Sequence, residues 1–294
     1  MRKAESLLEK LEVLGYGKIN LTLDILGKRE DGYHEVEMVM QSIALADSLT
    51  IEKKDSISIS SNHQEVPIDK SNLVYKVAEA LKKHTGYTGG AHFHIEKRIP
   101  VAAGLAGGST NAASALKGLN RLWELGLAEK ELREIGAKLG ADIPFCLLGG
   151  TAIARGKGEK LTLLNDVPPL DLVLVKPPIG VSTKEVYGNF KCEEVIKNPA
   201  TSKMKKAIKE GDIVGITENV GNVLEAVTLK MHPEIKKIKE KLLAAGARTA
   251  LMSGSGPTVF AIVDNQQQGE EIVEKIKEDG LMAFVTKTVP FSCN

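Results

Sequence analysis

Long apolar runs are missing from this chain, and with them a whole class of membrane proteins. No 18-residue apolar stretch occurs, so nothing is long enough to cross a bilayer as a helix. Cysteine is scarce: Cys146, Cys192 and Cys293 are odd in number, far apart and outside any C-x-x-C spacing, which argues against a disulfide framework or a zinc site. An excess of one charge is absent too, with 39 Lys+Arg against 38 Asp+Glu. Nucleic-acid and membrane-surface proteins usually carry a marked basic excess, so neither partner is expected. Near the N-terminus, Glu5, Glu9, Lys10 and Glu12 interrupt the apolar core that a secretory signal needs, and the expected compartment is the reducing cytoplasm. What is present is a globular composition: 294 residues, 43% apolar and 26% charged, enough to bury a core in about two domains. The 28 glycines stand somewhat above the usual share of roughly 7%.

Patterning places the elements. Over residues 13–25, Ile19, Leu21, Leu23 and Ile25 alternate with Lys18, Asn20, Thr22 and Asp24, the signature of a half-buried strand. Strand alternations at Ile57 and Ile59 and at Phe93 and Ile95 bracket a helix. In it Leu73, Val74, Val77, Ala80 and Leu81 recur at helical spacing behind Ser71 and Asn72 as caps. The turn PVAAGLAGGST opens a second helix carrying Ala112, Leu116, Leu119 and Trp123, and a third, over about 128–138, stops at Gly140. Short β runs follow at 151–155 and 160–164, and Pro168-Pro169 marks a boundary that divides the chain near 165. Beyond it come a strand at Leu172–Val175, Lys-rich amphipathic helices between about 200 and 245, a strand at 257–263, a helix at 268–278 and a last strand at 281–287. This mixture is an α+β order. The KMKKAIK run at 203–209 is followed by Glu210 and Asp212 and reads as a solvated helix face.

Several groups of residues are suited to chemistry. In GLAGGSTNA, residues 104–112, glycines let the backbone approach a ligand closely at a helix start whose free N–H groups and dipole favour an anion. The motif is neither a Walker loop nor G-x-G-x-x-G, and by itself it is equally a strand-to-helix turn with Ser109 as N-cap. In LGADIPF, Asp142 precedes Pro144 at a helix start. It is either an N-cap or a carboxylate that takes the proton of a substrate hydroxyl. Lys18 shares a strand face with Asn20 and suits an anion, unless it is simply an exposed strand lysine. DGYHE puts Tyr33 and His34 after an Asp31-Gly32 turn, and MSGSGPT at 252–258 is a second small-residue loop before a strand. His92 and His94 form an H-x-H pair with no third ligand nearby in sequence, which reads as an exposed strand edge.

In this order, K-I-N-L, D-G-Y-H-E, P-x-x-x-G-L-x-G-G-S-[ST]-N-A-A, G-A-D-[IV]-P-F and M-S-G-S-G-x-T-V-F-A resemble the motif set of the GHMP small-molecule kinases. The resemblance runs from about residue 13 to 290, and GKINLTLDILGKREDGYHE with LGADIPFCLLGGTAIARGKGE is most similar to the branch whose acceptor carries a cytidine diphosphate group. It implies a two-domain α+β fold: a ribosomal-protein-S5-like domain over 1–165, a ferredoxin-like α/β sandwich over 166–294, and an active site in the cleft between them. It further implies ATP with Mg²⁺, Asp142 as general base with Lys18 as its partner, and Gly104, Gly107, Gly108 and Ser109 around the phosphates, with Asn72 and Lys97 toward the adenosine end. Asn20, Tyr33, His34 and Tyr187 would hold the cytidine-bearing acceptor. Ala106 departs from the glycine and Thr110 from the serine more frequent in the family, each keeping the small size or the hydroxyl. A monomer or weak homodimer is expected. The alternatives are another family member acting on mevalonate, homoserine or a sugar, and a non-catalytic nucleotide sensor. A nicotinamide oxidoreductase lacks its fingerprint here.

Overall fold

The computed structural model describes residues 8–278 and 280–291; Glu5 and Cys293 lie outside them. Two long strands, β1 (Lys10–Lys28) and β2 (His34–Lys54), form an antiparallel hairpin that turns at Gly32, whose φ is +83°. After β3 (Ser58–Ser61) come α1 (Leu73–Thr85), β4 (Gly90–Glu96), α2 (Gly107–Leu122), α3 (Glu129–Ala137), α4 (Ile143–Leu148), β5 (Thr151–Gly156) and β6 (Lys160–Leu163). The rest of the chain comprises β7 (Asp171–Lys176), α5 (Thr183–Gly188), α6 (Thr201–Glu210), α7 (Ile213–Glu218), β8 (Gly221–Asn222) and α8 (Glu225–Met231). It ends with α9 (Pro233–Ala244), β9 (Thr249–Met252), β10 (Val259–Val263), α10 (Gln266–Lys275) and β11 (Met282–Lys287).

The strands make two sheets. The first runs β3-β4-β2-β1-β8, with β5 also on β2 and β6 on β5; the second is antiparallel, β11-β7-β10-β9. Besides β1, the 21-residue β2 serves two further partners, pairing with β5 through Val36–Gln41 and with β4 through Ser48–Lys54. Sequence alternation did not point to β2 because Met38 through Ile43 are buried on both faces, which erases the period of two. The same holds for part of β1. Ile19 and Leu21 pack with Leu172, Leu174 and Phe260 of the second sheet, while Lys18, Asn20 and Thr22 are also buried, so the strand is covered on both sides there rather than half-buried.

One core cluster lies within the first half: Phe93, Ile95 and Ile51 of the sheet face Val77 and Leu81 of α1 and Leu116 and Leu119 of α2. Two others are shared. β1 and β2 meet β7, β10 and α6 in one, and Met38 and Phe145 join Val175, Ile238 and Leu242 in the other. The β8 segment crosses over too, pairing in parallel with β1 at Thr22 and Leu23. Phe93 is fully buried in the first cluster. Phe93→Ala is expected to cost about 3–5 kcal/mol, read as a lower urea midpoint at unchanged slope, and a loss below about 1 kcal/mol would contradict its place in the core.

Candidate active site

The glycine-rich turn enters α2 through two alanines in left-handed conformation, Ala102 (φ +49°) and Ala106 (φ +61°), and Ala106 is the N-cap residue. Ser109 therefore sits inside the first turn and does not cap the helix. With no side chain on the cap, the first-turn N–H groups stay available to an anion in the cavity. Gly104 (φ +74°) cannot be replaced without collision: a Cβ there would stand 2.4 Å from Ser253 O of the MSGSGPT loop. The two small-residue loops are thus in backbone contact, and the Ser253 hydroxyl donates to Gly104 O at 3.1 Å. Asn222 steadies the second loop, donating to Met252 O at 2.8 Å and to Gly254 O at 2.7 Å.

Lys18 follows a register shift in the β1–β2 pairing, and its backbone N–H is donated to Leu105 O at 3.1 Å, which ties the strand to the glycine turn. Its side chain is 5% exposed, so the reading as a free surface lysine does not hold. The ammonium donates to Asn20 Oδ1 at 2.7 Å and stands 3.9 Å from Asp142 Oδ2. Asn20 Nδ2 in turn faces Met38 Sδ at 3.3 Å. Asp142 occupies the N-cap position of α4 but makes no capping hydrogen bond, which leaves its carboxylate directed at the lysine and the cavity.

The cavity measures about 1280 Å³. That exceeds the roughly 300–1,000 Å³ of a site for one small ligand. Lys18, Asn20, Asn72, Lys97, Gly104, Gly107, Gly108, Ser109 and Asp142 line it, together with Tyr33, His34 and Tyr187, so all the site residues that the family resemblance implies border one space. Their engagement differs. Asn72 is already committed, capping α1 through Val74 N and donating to Pro67 O. Tyr33 is 59% exposed at the rim, with the Lys157 ammonium 4.5 Å above its ring. His34 lies 5.5 Å from the Tyr187 ring and 6.2 Å from Phe190, nearly edge-on to the latter. Burial pushes the His34 imidazole below its ordinary range, with the Lys28 charge acting the same way. Burial pushes the Tyr187 hydroxyl up, and the Asp142 charge adds to this.

Phe190 and Thr183 also border the cavity without belonging to any of the motifs. Phe190 carries a signal, a rare aromatic in the polar stretch GNFKCEE; Thr183 carries none and meets Ser255 of the MSGSGPT loop, 2.8 Å away, only through the fold. His92 and His94 bond instead to Ser58 and Ser60 on the β3 edge, and the described residues hold no His, Cys, Asp and Glu cluster of metal-binding size. Burial pushes the Cys146 thiol up to about 12, which makes it inert, and Cys192 is exposed. A helix start for an anion, a fixed cation and an uncapped carboxylate together form a set suited to moving a phosphoryl group onto a hydroxyl.

The family models for the GHMP kinases N terminal domain and the GHMP kinases C terminal domain match residues 72–150 and 204–280. A Listeria welshimeri protein named 4-diphosphocytidyl-2-C-methyl-D-erythritol kinase is 49% identical over 270 residues, covering 91% of this chain and 92% of its own. A Bacillus cereus protein of the same name is 50% identical over 270 residues, covering 91% and 93%. The crystal structure of a 4-(cytidine 5'-diphospho)-2C-methyl-D-erythritol kinase superposes with a TM-score of 0.81 at 32% identity, covering 95% of this chain and 99% of that one. The His34 environment makes a direct expectation: by NMR the ring titrates below the ordinary histidine value of about 6.5, so it is neutral at pH 7 and gains charge only as pH falls through that lowered midpoint. A midpoint at or above the ordinary value would contradict its burial against Tyr187.

Proposed function

The chain belongs to the GHMP kinase family, and from that membership we propose that it transfers the γ-phosphoryl group of ATP to the 2-hydroxyl of 4-diphosphocytidyl-2-C-methyl-D-erythritol, a step of non-mevalonate isoprenoid precursor synthesis. One observation carries the mechanism: the Lys18–Asp142 pair lines the same cavity as a phosphate-type turn and the His34–Tyr187–Phe190 aromatic cluster. In this reading ATP lays its phosphates along Gly104, Gly107, Gly108 and Ser109, with the adenosine toward Asn72 and Lys97. The cytosine is held against Tyr187 and His34, with Tyr33 and Asn20 along the acceptor. Asp142 takes the proton of the attacking hydroxyl as its oxygen bonds to the γ-phosphorus and the bond to the leaving ADP breaks. Lys18 orients the carboxylate and offsets the charge that develops on the transferred group. Little covalent work is required of the protein, and positioning alone contributes on the order of 7–11 kcal/mol.

Mg²⁺ fits as a companion of the nucleotide. The Oδ1 of Asn111, buried and without a partner, and the Ser109 hydroxyl are oxygen donors in the wall beside the glycines that would hold it. When bound, it neutralises phosphate charge. We also divide the chain near residue 165, between β6 and β7, and place the reaction in the cytoplasm, where ATP is supplied, with a monomer or weak homodimer as the working state.

Release of ADP in the presence of this substrate, with free polyols, mevalonate and homoserine as competing acceptors, tests the assignment; preference for an acceptor without cytidine would overturn it. Asp142→Asn is expected to lower turnover by about two orders of magnitude or more, while ADP affinity stays near that of the unmodified chain. Near-normal turnover would remove Asp142 from the mechanism. His34→Ala is expected to raise KM for the cytidyl acceptor with little change in nucleotide affinity, and weakened nucleotide binding instead would reassign that wall.

A further inference from the structure

Beneath the glycine turn Lys97 is held in a buried ion pair whose other member, Asp47, has no part in the chemistry described so far. Asp47 on β2 is fully buried, and both oxygens of its carboxylate accept from one segment. Its Oδ1 accepts from Arg98 N at 2.7 Å and Ile99 N at 2.8 Å, and its Oδ2 accepts from the Lys97 ammonium at 2.8 Å. The Lys97 side chain is 5% exposed and also donates to Ile99 O. An ammonium has three protons, so one is left for the cavity that Lys97 lines. The absence of a side chain at Gly107 makes this approach possible, because a Cβ there would stand 2.8 Å from Lys97 Nζ.

We propose that Asp47 is a positioning residue for the nucleotide, acting through Lys97: it keeps that ammonium charged and fixed beside Gly107, where the adenosine end of ATP meets its first phosphates. The inference rests on reading Lys97 as a nucleotide contact. The surroundings of Lys97 single out Asp47 as its counterion. The first turn of α2 presents Gly107, Gly108 and Ser109, none of them charged, and the start of α1 presents Asn72 and Leu73. On the lysine's own segment Arg98 is exposed, and Glu96 is occupied by Asn62 and His94. Asp47 is thus the counterion facing Lys97 from the packed elements. Burial pushes the Lys97 ammonium down and Asp47 opposes this, so the carboxylate is what maintains a proton on a lysine withdrawn from water.

Titration calorimetry with ADP on the full chain, repeated from about pH 7 to 9, separates the possibilities. Asp47→Asn keeps an oxygen for the two backbone N–H groups but removes the charge. It is expected to weaken ADP binding about tenfold at the alkaline end and little at the neutral end, while the unmodified chain stays nearly flat. Affinity for the cytidyl acceptor should not move in any variant, which a general loss of structure would not permit. Lys97→Met is expected to be weak at every pH, and Asp47→Asn combined with Lys97→Arg, whose guanidinium does not titrate, should bind ADP without pH dependence. If Lys97→Met leaves ADP affinity intact, the nucleotide reading of Lys97 and the proposal both fall. If it weakens ADP while Asp47→Asn shows no pH dependence, or weakens both ligands equally, only the proposal falls. Melting curves accompany each variant, and Asp47→Ser, a smaller change that retains an acceptor, provides the same test should Asp47→Asn not fold.

Discussion

A lysine ammonium withdrawn from water is tolerated only where oxygen atoms replace its hydration, and the structure is organised around meeting that condition at Lys18. Asn20 supplies one oxygen at 2.7 Å and Asp142 a more distant charge at 3.9 Å. Neither would be in place without other commitments. Asn20 is held by the strand, Asp142 by the turn into α4 that leaves its carboxylate uncapped, and the Lys18 backbone by Leu105 of the glycine turn. In the proposed mechanism a hydroxyl and a phosphoryl group meeting at this point would complete the coordination that the protein leaves partly open.

The site is consequently a property of the packed whole. Its two small-residue loops come from different halves of the chain and touch through Gly104 and Ser253, while two of the core clusters mix residues from both halves. A division near residue 165 describes the chain path better than it describes cooperativity, since β8 crosses to pair with β1. Local loosening of the second half would be felt at Lys18 through the loop that Asn222 anchors.

Much of this was legible in the residues, for identifiable reasons. Helices announced themselves because one face meets solvent, so α1 and α3 fall where Leu73–Leu81 and the stop at Gly140 place them. β2 was hidden because burial on both faces removes alternation, and β9, only four residues long, offers too short a pattern. Motif order brought together residues that line one cavity, and several of them sit on or beside turns that glycines or a proline mark. What stayed hidden depends on contacts between distant segments. Lys18 reads as a surface lysine until the glycine turn covers it, Ser109 reads as a cap until Ala106 adopts a left-handed φ, and Asp47 in ALADSL carries no local sign of its partner 50 residues away.

The long strand β2 has one more implication. It begins at His34, on the aromatic wall, and carries Asp47, beneath the glycine turn, on the same continuous backbone. The separation between His34 and Asp47 is therefore set by the course of one strand, about 3.3 Å per residue with an irregularity between Ser42 and Ala46, and is not a distance adjustable by side chains. Inserting or deleting one residue in that span would reverse which face every later side chain occupies. A protein built this way can acquire new acceptors by exchanging groups at either end of its strand, but the span itself is inherited, like the spacing of jaws on a fixed gauge.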